Sequence, residues 1–510
     1  MASRVTIPAL LPTLVPAFKP VENQQRDKAE QNPGNGPGHG QGQPKNHRLG
    51  RRHQGGQRPG HRKQINNEES ERAASNNPDI HDHQPSNYSG SLCDTSPMDS
   101  DTDLTAQPYE ASRYAALVLN LGRALLHVGS PAHRLEAAMQ IMAERLGLQA
   151  EFFSTPTSLI VSLGDGSRQQ TYLARSEPGS SNLSKLSELT EVMDELAAGT
   201  IDPEQADERV RMIDAAPPRF GAWWQLLGFI AIAGGVAPLI GGGLRETLLA
   251  SLLGIVTGAS VLMLRSHLDR SRLTAPLAAA LTTFLGTLWC GFDPQTALMP
   301  AIIASIIALL PGMDLTTACR ELSTGHLVSG SSRLASAVMI FALLTFGLVM
   351  GGMAGQYFTG PVGLVSPVDR PEWLTPAGLL IAAFGLVVLF QAHRRDWVWM
   401  LLACLIAVIG AGIGSIINAP VIGAFVGSVM VGMAGNLFVR FSGRPGSIMH
   451  LPGLILLVPG SIGLRSLATL LENDVISGIE TAMLAAMIAV ALTTGMIVSS
   501  VLLPPRKNAL

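Results

Sequence analysis

LLPGMDLTTACRELSTGHLVSG at 309–330 and LVPGSIGLRSLATLLENDVISG at 457–478 decide how this chain folds. Laid on one another at an offset of 148, they bring Pro311-Gly312 onto Pro459-Gly460, Leu322 onto Leu470, and Ser329-Gly330 onto Ser477-Gly478. Further on, Ala337, Met339, Ile340, Leu344, Thr345 and Gly347 fall on Ala485, Met487, Ile488, Leu492, Thr493 and Gly495. With Leu309 on Leu457, twelve of 39 positions are identical. Apolar composition yields chance matches among Leu, Ile and Ala. It does not yield two Pro-Gly and two Ser-Gly pairs at one spacing, so the chain carries an internal repeat. Upstream, Ala275-Pro276-Leu277 meets Ala419-Pro420-Val421 only with a small gap.

The repeat lies in a block almost empty of charge. Of 510 residues, 15% are charged and 47% hydrophobic, with a net charge of −2. Residues 1–220 hold 22 Lys/Arg and 27 Asp/Glu, whereas residues 221–510 hold only 14 and 11. Such a block, rich in Leu, Ile, Val, Ala and Gly, is a polytopic membrane domain. Apolar runs predict ten spans, at 222–242, 246–264, 275–291, 295–312, 334–355, 374–392, 397–417, 419–439, 447–464 and 481–503. With the amino end in the cytoplasm, the inner loops and the carboxyl tail hold Arg265, Arg270, Arg272, Arg320, Arg333, Arg394, Arg395, Arg440, Arg444, Arg506 and Lys507. The outer loops hold Arg245, Arg370 and Arg465. Eleven against three places both termini inside. Five helices per repeat is an odd number, so the second copy enters from the opposite side. Inverted repeats of this kind flank the substrate site of alternating-access transporters. The expected fold is thus an α-helical polytopic membrane protein with ten transmembrane helices, as two inverted five-helix repeats (221–355 and 356–510).

Two segments precede the membrane block. Residues 1–108 are built from Gln, Asn, Gly, Pro, His and Arg, a composition too poor in apolar surface to order itself, and are expected to be a disordered tail. The apolar opening VTIPALLPTLVPAF has a proline at every fourth residue (Pro8, Pro12, Pro16) and no cleavage pattern after it, so no signal peptide is expected. Residues 109–220 read as a small cytoplasmic α+β domain. A helix stops at Gly129, and Ser130 and Pro131 then open a second one as N-cap and first helical residue. EFFST, SLIVSLG and RQQTYLARS follow as strands, the last two joined around Gly164-Asp165-Gly166. Two more helices, near 184–198 and 203–213, lead to Trp223 and Trp224 at the membrane entry.

These residues resemble the threonine/serine exporter family, in which a cytoplasmic amino-terminal domain joins about ten membrane helices. The likeness rests on Gly129, Arg134-Leu135-Glu136, Gly147 and NLSKLSEL (182–189) in the first part. In the second it rests on LLPG (309–312), LVPG (457–460) and the following GLRSLATLLENDVISGIETA. It spans roughly 110–505. It implies export of small hydroxy amino acids, threonine and serine, driven by the proton gradient across the cytoplasmic (inner) membrane. The two halves are also similar to a pair of separate bacterial proteins associated with dicarboxylate export, so a dicarboxylate such as succinate is the alternative cargo.

A zwitterionic cargo needs one partner for its carboxylate and another for its ammonium group. Helix breaks at Pro311-Gly312 and Pro459-Gly460 expose backbone groups that persist at membrane depth only beside protein or water. A second break is expected at Pro452-Gly453, and the fourth span carries another proline, Pro300. Around the repeated breaks lie Asp314, Thr316, Thr317, Glu321, Ser329 and Gly330, and in the second copy Glu472, Asp474, Ser477, Gly478 and Glu480. Acids at membrane depth are functional candidates, so Asp314, Glu321, Glu472, Asp474 and Glu480 are the candidates for proton coupling, with Asp314 and Glu480 foremost. Against this stands the plain alternative that Asp314 pairs with Arg320 and Glu480 caps the last helix. His326 and His450 are titratable neighbours.

Other function classes find less support. His127, Ser130, His133 and Glu136 could form a hydrolase site, but Ser130 reads as an N-cap and no Gly-x-Ser-x-Gly is present. A regulatory or docking role suits the domain better. Four scattered cysteines offer neither a disulfide framework nor a zinc site. No phosphate-binding loop points to ATP, and near-neutral charge argues against nucleic acid. No metal or cofactor is expected. The expected partners are the amino acid, protons, the lipid bilayer and, compatibly, further copies of the chain.

Overall fold

The computed structural model describes residues 107–164, 169–176, 181–265, 273–363, 365, 370–416, 419–458, 460–471 and 475–504. The tail expected to be disordered lies outside these residues up to 106, and its last two, Gln107 and Pro108, belong to the first helix. Asp165 and Gly166 of the hairpin loop, and Pro459, Glu472 and Asp474, also lie outside the described residues.

The amino-terminal module contains α1 (Gln107–His127), α2 (Ala132–Arg145), β1 (Ala150–Thr155), β2 (Ser158–Leu163), β3 (Gln170–Arg175), α3 (Leu183–Ala197) and α4 (Pro203–Ala215). The strands form an antiparallel sheet in the order β1-β2-β3, with Phe152 opposite Val161 and Val161 opposite Tyr172. Strand periodicity sends Leu159 and Val161 to one face, where they meet Leu121, Leu135, Met139 and Leu189 in a core belonging to this module. Each such fully buried Leu contributes about 2 kcal/mol of transfer free energy. The Asn182 side chain accepts from the Lys185 amide at 3.1 Å and so caps α3. At α2 the expected cap does not form. Pro131 occupies the N-cap position without a side-chain bond, and the amide of Ala132 donates instead to Glu321, 189 residues away.

The membrane part begins with α5 (Ala222–Leu239), α6 (Leu244–Leu264), α7 (Thr274–Phe292), α8 (Leu298–Ser305), α9 (Gly312–Ser323) and α10 (Leu327–Thr359). It continues with α11 (Leu374–Leu389), α12 (Trp397–Ile416), α13 (Pro420–Ser442), α14 (Ser447–Leu457), α15 (Gly460–Leu471) and α16 (Val475–Leu502). Among the described residues, eight helices are long and apolar enough to cross a membrane. The bent α8–α9 pair, turning by 49°, makes a ninth candidate, and α11 is a shorter apolar helix. Their outward faces carry Leu248, Leu252, Ile255, Phe346, Val398 and Ile409, as lipid contact requires. The chain is a multi-pass membrane protein.

The two interrupted segments have a local cause. Leu310 and Val458, each preceding a proline, are extended with ψ of 129° and 137°. The proline ring disfavours helical geometry in the residue before it. The break expected at Pro452-Gly453 does not form, and Pro300 does not interrupt its helix either. Pro300 sits in the first turn of α8, where its missing N–H is an orphan anyway, and α14 runs through Pro452. Arg320 and Arg333 lie on α9 and α10, and Arg465 on α15, rather than in connecting loops.

Packing repeats between the halves. In the first set α7 packs on α10, α6 on α8, and α9 on α10; in the second α13 packs on α16, α12 on α14, and α15 on α16. The halves cross through α9 against α16 and α10 against α15. They also meet along α5 and α11, and there the contact is reciprocal. A Cβ on Gly235 would strike the Ala382 amide and lie 2.6 Å from the Gly378 carbonyl oxygen. A Cβ on Gly385 would lie 2.7 Å from the Ile232 amide and 3.0 Å from the Gly228 carbonyl oxygen. Gly228, Ile232 and Gly235 are each related to Gly378, Ala382 and Gly385 by 150 residues. The helices thus touch backbone to backbone, which only residues without a side chain permit.

The same correspondence extends to charge. Arg245-Glu246 opens α6, and Arg395-Asp396 stands at the start of α12. Arg245 bonds Asp293 at 2.9 Å, while in the second set it is Asp396, the counterpart of Glu246, that pairs with Arg444, so each set carries an ion pair near this helix start but through a different member of the dipeptide.

Candidate functional site

The amino-terminal module rests on the membrane helices through the first turn of α2. Glu321, fully buried on α9, accepts the Ala132 amide (2.9 Å), the Ser329 hydroxyl (2.8 Å) and Nε of Arg333 (3.2 and 3.1 Å to its two oxygens). A carboxylate at a helix N-terminus both satisfies an orphan amide and opposes the helix dipole. Two residues along, Arg134 donates to the Ser447 hydroxyl at 2.7 Å and meets Nδ1 of His450 at 3.1 Å, both on α14. Glu136 accepts the Ser154 amide at 2.7 Å and pairs with Nε2 of His326 at 3.0 Å. Arg134-Leu135-Glu136 therefore divides its labour, with Leu135 in the module's core and the two charged residues on the membrane helices.

Between these contacts lies a cavity of about 130 Å³, walled by the start of α2, the segment before α3, and α9, α10, α14 and α16. Asp314 and Arg320 line it from α9, Arg134 from α2, and Arg333 from α10, with the hydroxyls of Thr316 and Thr317 beside them. Asp314 is the one acid among the described lining residues. Its nearest cation is Arg333, at 3.7 Å, not Arg320. Arg333 is already bonded to Glu321 and Arg134 to Ser447 and His450. The Arg320 guanidinium makes no hydrogen bond or ion pair among the described residues, although its carbonyl accepts from Thr324. Burial lowers the Arg134 guanidinium to about 9, helped by the charge of Arg320. Burial also lowers His133 to about 2, reinforced by Arg320, Arg134, His326 and Arg333. Its ring therefore stays neutral, packed edge-on against His326 with centroids 6.3 Å apart.

The interrupted segments meet beside this cavity. A Cβ on Gly312 would collide with Val458 and approach Cα of Gly460 to 3.5 Å. Thr316 bonds back to the Gly312 carbonyl at 3.0 Å, and Thr493 on α16 reaches the Thr316 carbonyl at 3.4 Å. The residues singled out from the sequence thus separate into groups. Pro311, Gly312, Gly460, Asp314, Glu321, Ser329 and Gly330 gather at or next to the cavity and its walls. Ser477 and Gly478 open α16, where Gly478 accepts the Ser466 hydroxyl at 2.6 Å. Glu480 lies within α16, exposed, and does not line the cavity; it follows the helix start by several residues and is no cap. The hydrolase grouping does not assemble. His127 pairs with Asp214 at 3.0 Å, Glu136 with His326, and no hydrogen bond joins Ser130 to either histidine among the described residues. No group of His, Cys, Asp and Glu suited to a metal occurs among them either.

Sequence profiles of the threonine/serine exporter family match residues 116–354 and 377–502. The chain belongs to the threonine/serine exporter family. The two profiles abut the α10–α11 connection, so the family's own division falls between the two sets of helices. A threonine/serine exporter of Corynebacterium glutamicum is 24% identical over 344 residues, covering 64% of this chain and 70% of that protein. Pheromone-regulated membrane protein 10 of Yarrowia lipolytica is 25% identical over 389 residues, covering 73% of this chain and 32% of the relative. Its namesake in Saccharomyces cerevisiae is 26% identical over 379 residues, covering 72% and 48%. The chain thus spans less than half the length of these fungal relatives. No solved structure matches. For an exporter, the informative residues that local pattern did not single out are Arg320 and Arg333. A charge beside a break in an apolar block was the available signal.

Proposed function

We propose that this chain is a secondary transporter that exports small hydroxy amino acids, threonine and serine, at the expense of the proton gradient. In this reading it lies in the cytoplasmic membrane with both termini inside, and its ten helices form two inverted repeats. The amino-terminal module covers their cytoplasmic end. The reciprocal glycine contacts of α5 and α11, the recurring helix pairings and the charge bias of the loops support that arrangement.

The observation that carries the functional reading is the cavity beside the paired breaks, with an acid, threonine hydroxyls and guanidinium groups on its walls. Asp314, half exposed toward this space, takes the ammonium group or the coupling proton. Thr316 and Thr317 offer hydroxyls to the cargo's own. Glu321 accepts several donors at once and holds the module in place rather than carrying a proton. The three arginines also support a second reading, in which the cargo is a dicarboxylate.

Vesicles containing the protein and loaded with an amino acid and dicarboxylate panel test both. Threonine and serine efflux that rises with an imposed proton gradient and stops when it is collapsed is the expected result. Efflux of succinate alone would replace the first reading with the second, and efflux of neither would overturn both.

A further inference from the structure

Charge in the cavity is unevenly settled. Arg333 faces Glu321 and Asp314, while Arg134 is held by the Ser447 hydroxyl and by Nδ1 of His450 rather than by an acid. The Arg320 guanidinium is held by nothing among the described residues. Arg134 belongs to the module and Arg320 to α9, so two like charges line one cavity from the two sides of the junction, and Asp314, the one acid among its described lining residues, pairs with Arg333 instead. Counting Arg134, Arg320, Arg333, Asp314 and Glu321, the cluster is one negative charge short of neutral. An uncompensated guanidinium in a confined space is costly and recruits an anion. A carboxylate has the planar geometry that suits the guanidinium fork.

We propose that the cavity receives the carboxylate of its ligand between Arg320 and Arg134, one cation from each side of the junction, so that the bound ligand completes the contact between the module and the membrane helices. The proposal rests on the transport reading and names the group by which cargo is held. The empty cavity leaves the two arginines repelling one another across the junction, and the occupied one draws them together. The Ala132–Glu321 bond, in the same turn as Arg134, tightens as a result. Docking of the module thereby follows occupancy of the site.

The test uses the full chain in lipid nanodiscs, with L-threonine, L-threonine amide (which keeps the amine and hydroxyl but lacks the carboxylate) and succinate as probes. Threonine binding should fall roughly tenfold or more in Arg320→Gln, the loss expected for a charge-assisted hydrogen bond, and recover in part in Arg320→Lys. Threonine amide should bind the unaltered chain no better than threonine binds the Gln variant. Deuterium uptake over residues 129–136 should drop when threonine binds and stay unchanged with the amide. The Arg320 side chain has no hydrogen-bond or ion-pair partner among the described residues, so the ligand-free variant should melt at or above the temperature of the unaltered chain, which separates lost binding from misfolding.

Undiminished threonine binding by Arg320→Gln, or equal binding of the amide, overturns the anchor. Unchanged uptake on binding overturns the junction's part in it. If Arg320→Gln exports threonine normally, the anchor fails while the transport reading stands. If succinate alone binds and needs Arg320, the anchor stands and the amino acid reading fails. If no probe binds the unaltered chain, both fall.

Discussion

Gly312 and Gly460, the first residues of α9 and α15, face one another closely enough that a Cβ on the first would lie 3.5 Å from Cα of the second and collide with Val458. Two segments interrupted for the same local reason are therefore in direct contact, one from each half. Val458 is β-branched and fixed by the extended backbone before Pro459, so it has little room to yield. Gly312→Ala should lower stability by about 1–3 kcal/mol, the usual cost of overpacking, and should impair export in protein that still inserts. Melting in detergent and efflux from vesicles measure the two effects, and wild-type values for both would show that the contact is loose.

The reciprocal packing of α5 on α11 makes a paired prediction. Gly235→Ala and Gly385→Ala each force a methyl onto the backbone of the opposite helix, which cannot rotate away. Both should destabilise by similar amounts, about 2 kcal/mol or more. Thermal melting of the two single variants compares them directly. A large effect at one position and none at the other would contradict the reciprocity.

Glu321→Gln should leave the Arg333 charge without its buried counter-ion and weaken the cap on α2. Breaking a buried ion pair on one side costs about 3–5 kcal/mol. The first turn of α2 should become sensitive to protease, and the double variant with Arg333→Gln should recover part of the loss. Additive losses in that double-mutant cycle would mean that the two residues act independently.

His133 sets a pH dependence whose sign is fixed. Its folded pKa of about 2 lies below the 6.5 of an unperturbed histidine, so below pH 6.5 the unfolded chain binds the extra proton. The stability it contributes is whole above that pH and is lost as pH falls, by up to about 1.4 kcal/mol per unit. His133→Gln should flatten the decline in melting temperature measured between about pH 7 and pH 5. An identical decline in the variant would assign it to other groups.

Much of this fold was legible in local pattern. The spans follow from apolar runs, and the interruptions at Leu310 and Val458 follow from the residue after each. The self-comparison faded upstream because the offset drifts. It is 148 at Gly312 and Gly460 but 150 at Gly235 and Gly385, and unaligned glycines carry no signal. The site was legible only in part. Asp314 and Glu321 were visible as acids in an apolar block, yet Glu321's bond to Ala132 spans 189 residues and has no local signature. Ser130 beside Pro131 read as a cap because its neighbours favour one, and a carboxylate from a distant helix took that role instead. Arg320 was counted as a loop charge that orients the chain, since sequence gives its charge but not the cavity it faces.

The glycine pairs of α5 and α11 bear on heredity as well as on packing. A mutation in one helix presses on the counterpart of its own position in the other, so neither half can accept bulk there unless its counterpart gives way. The two halves are tethered to one another at these positions. Were the chain divided between α10 and α11 into separate genes, this seam would still oblige the two products to evolve as a pair.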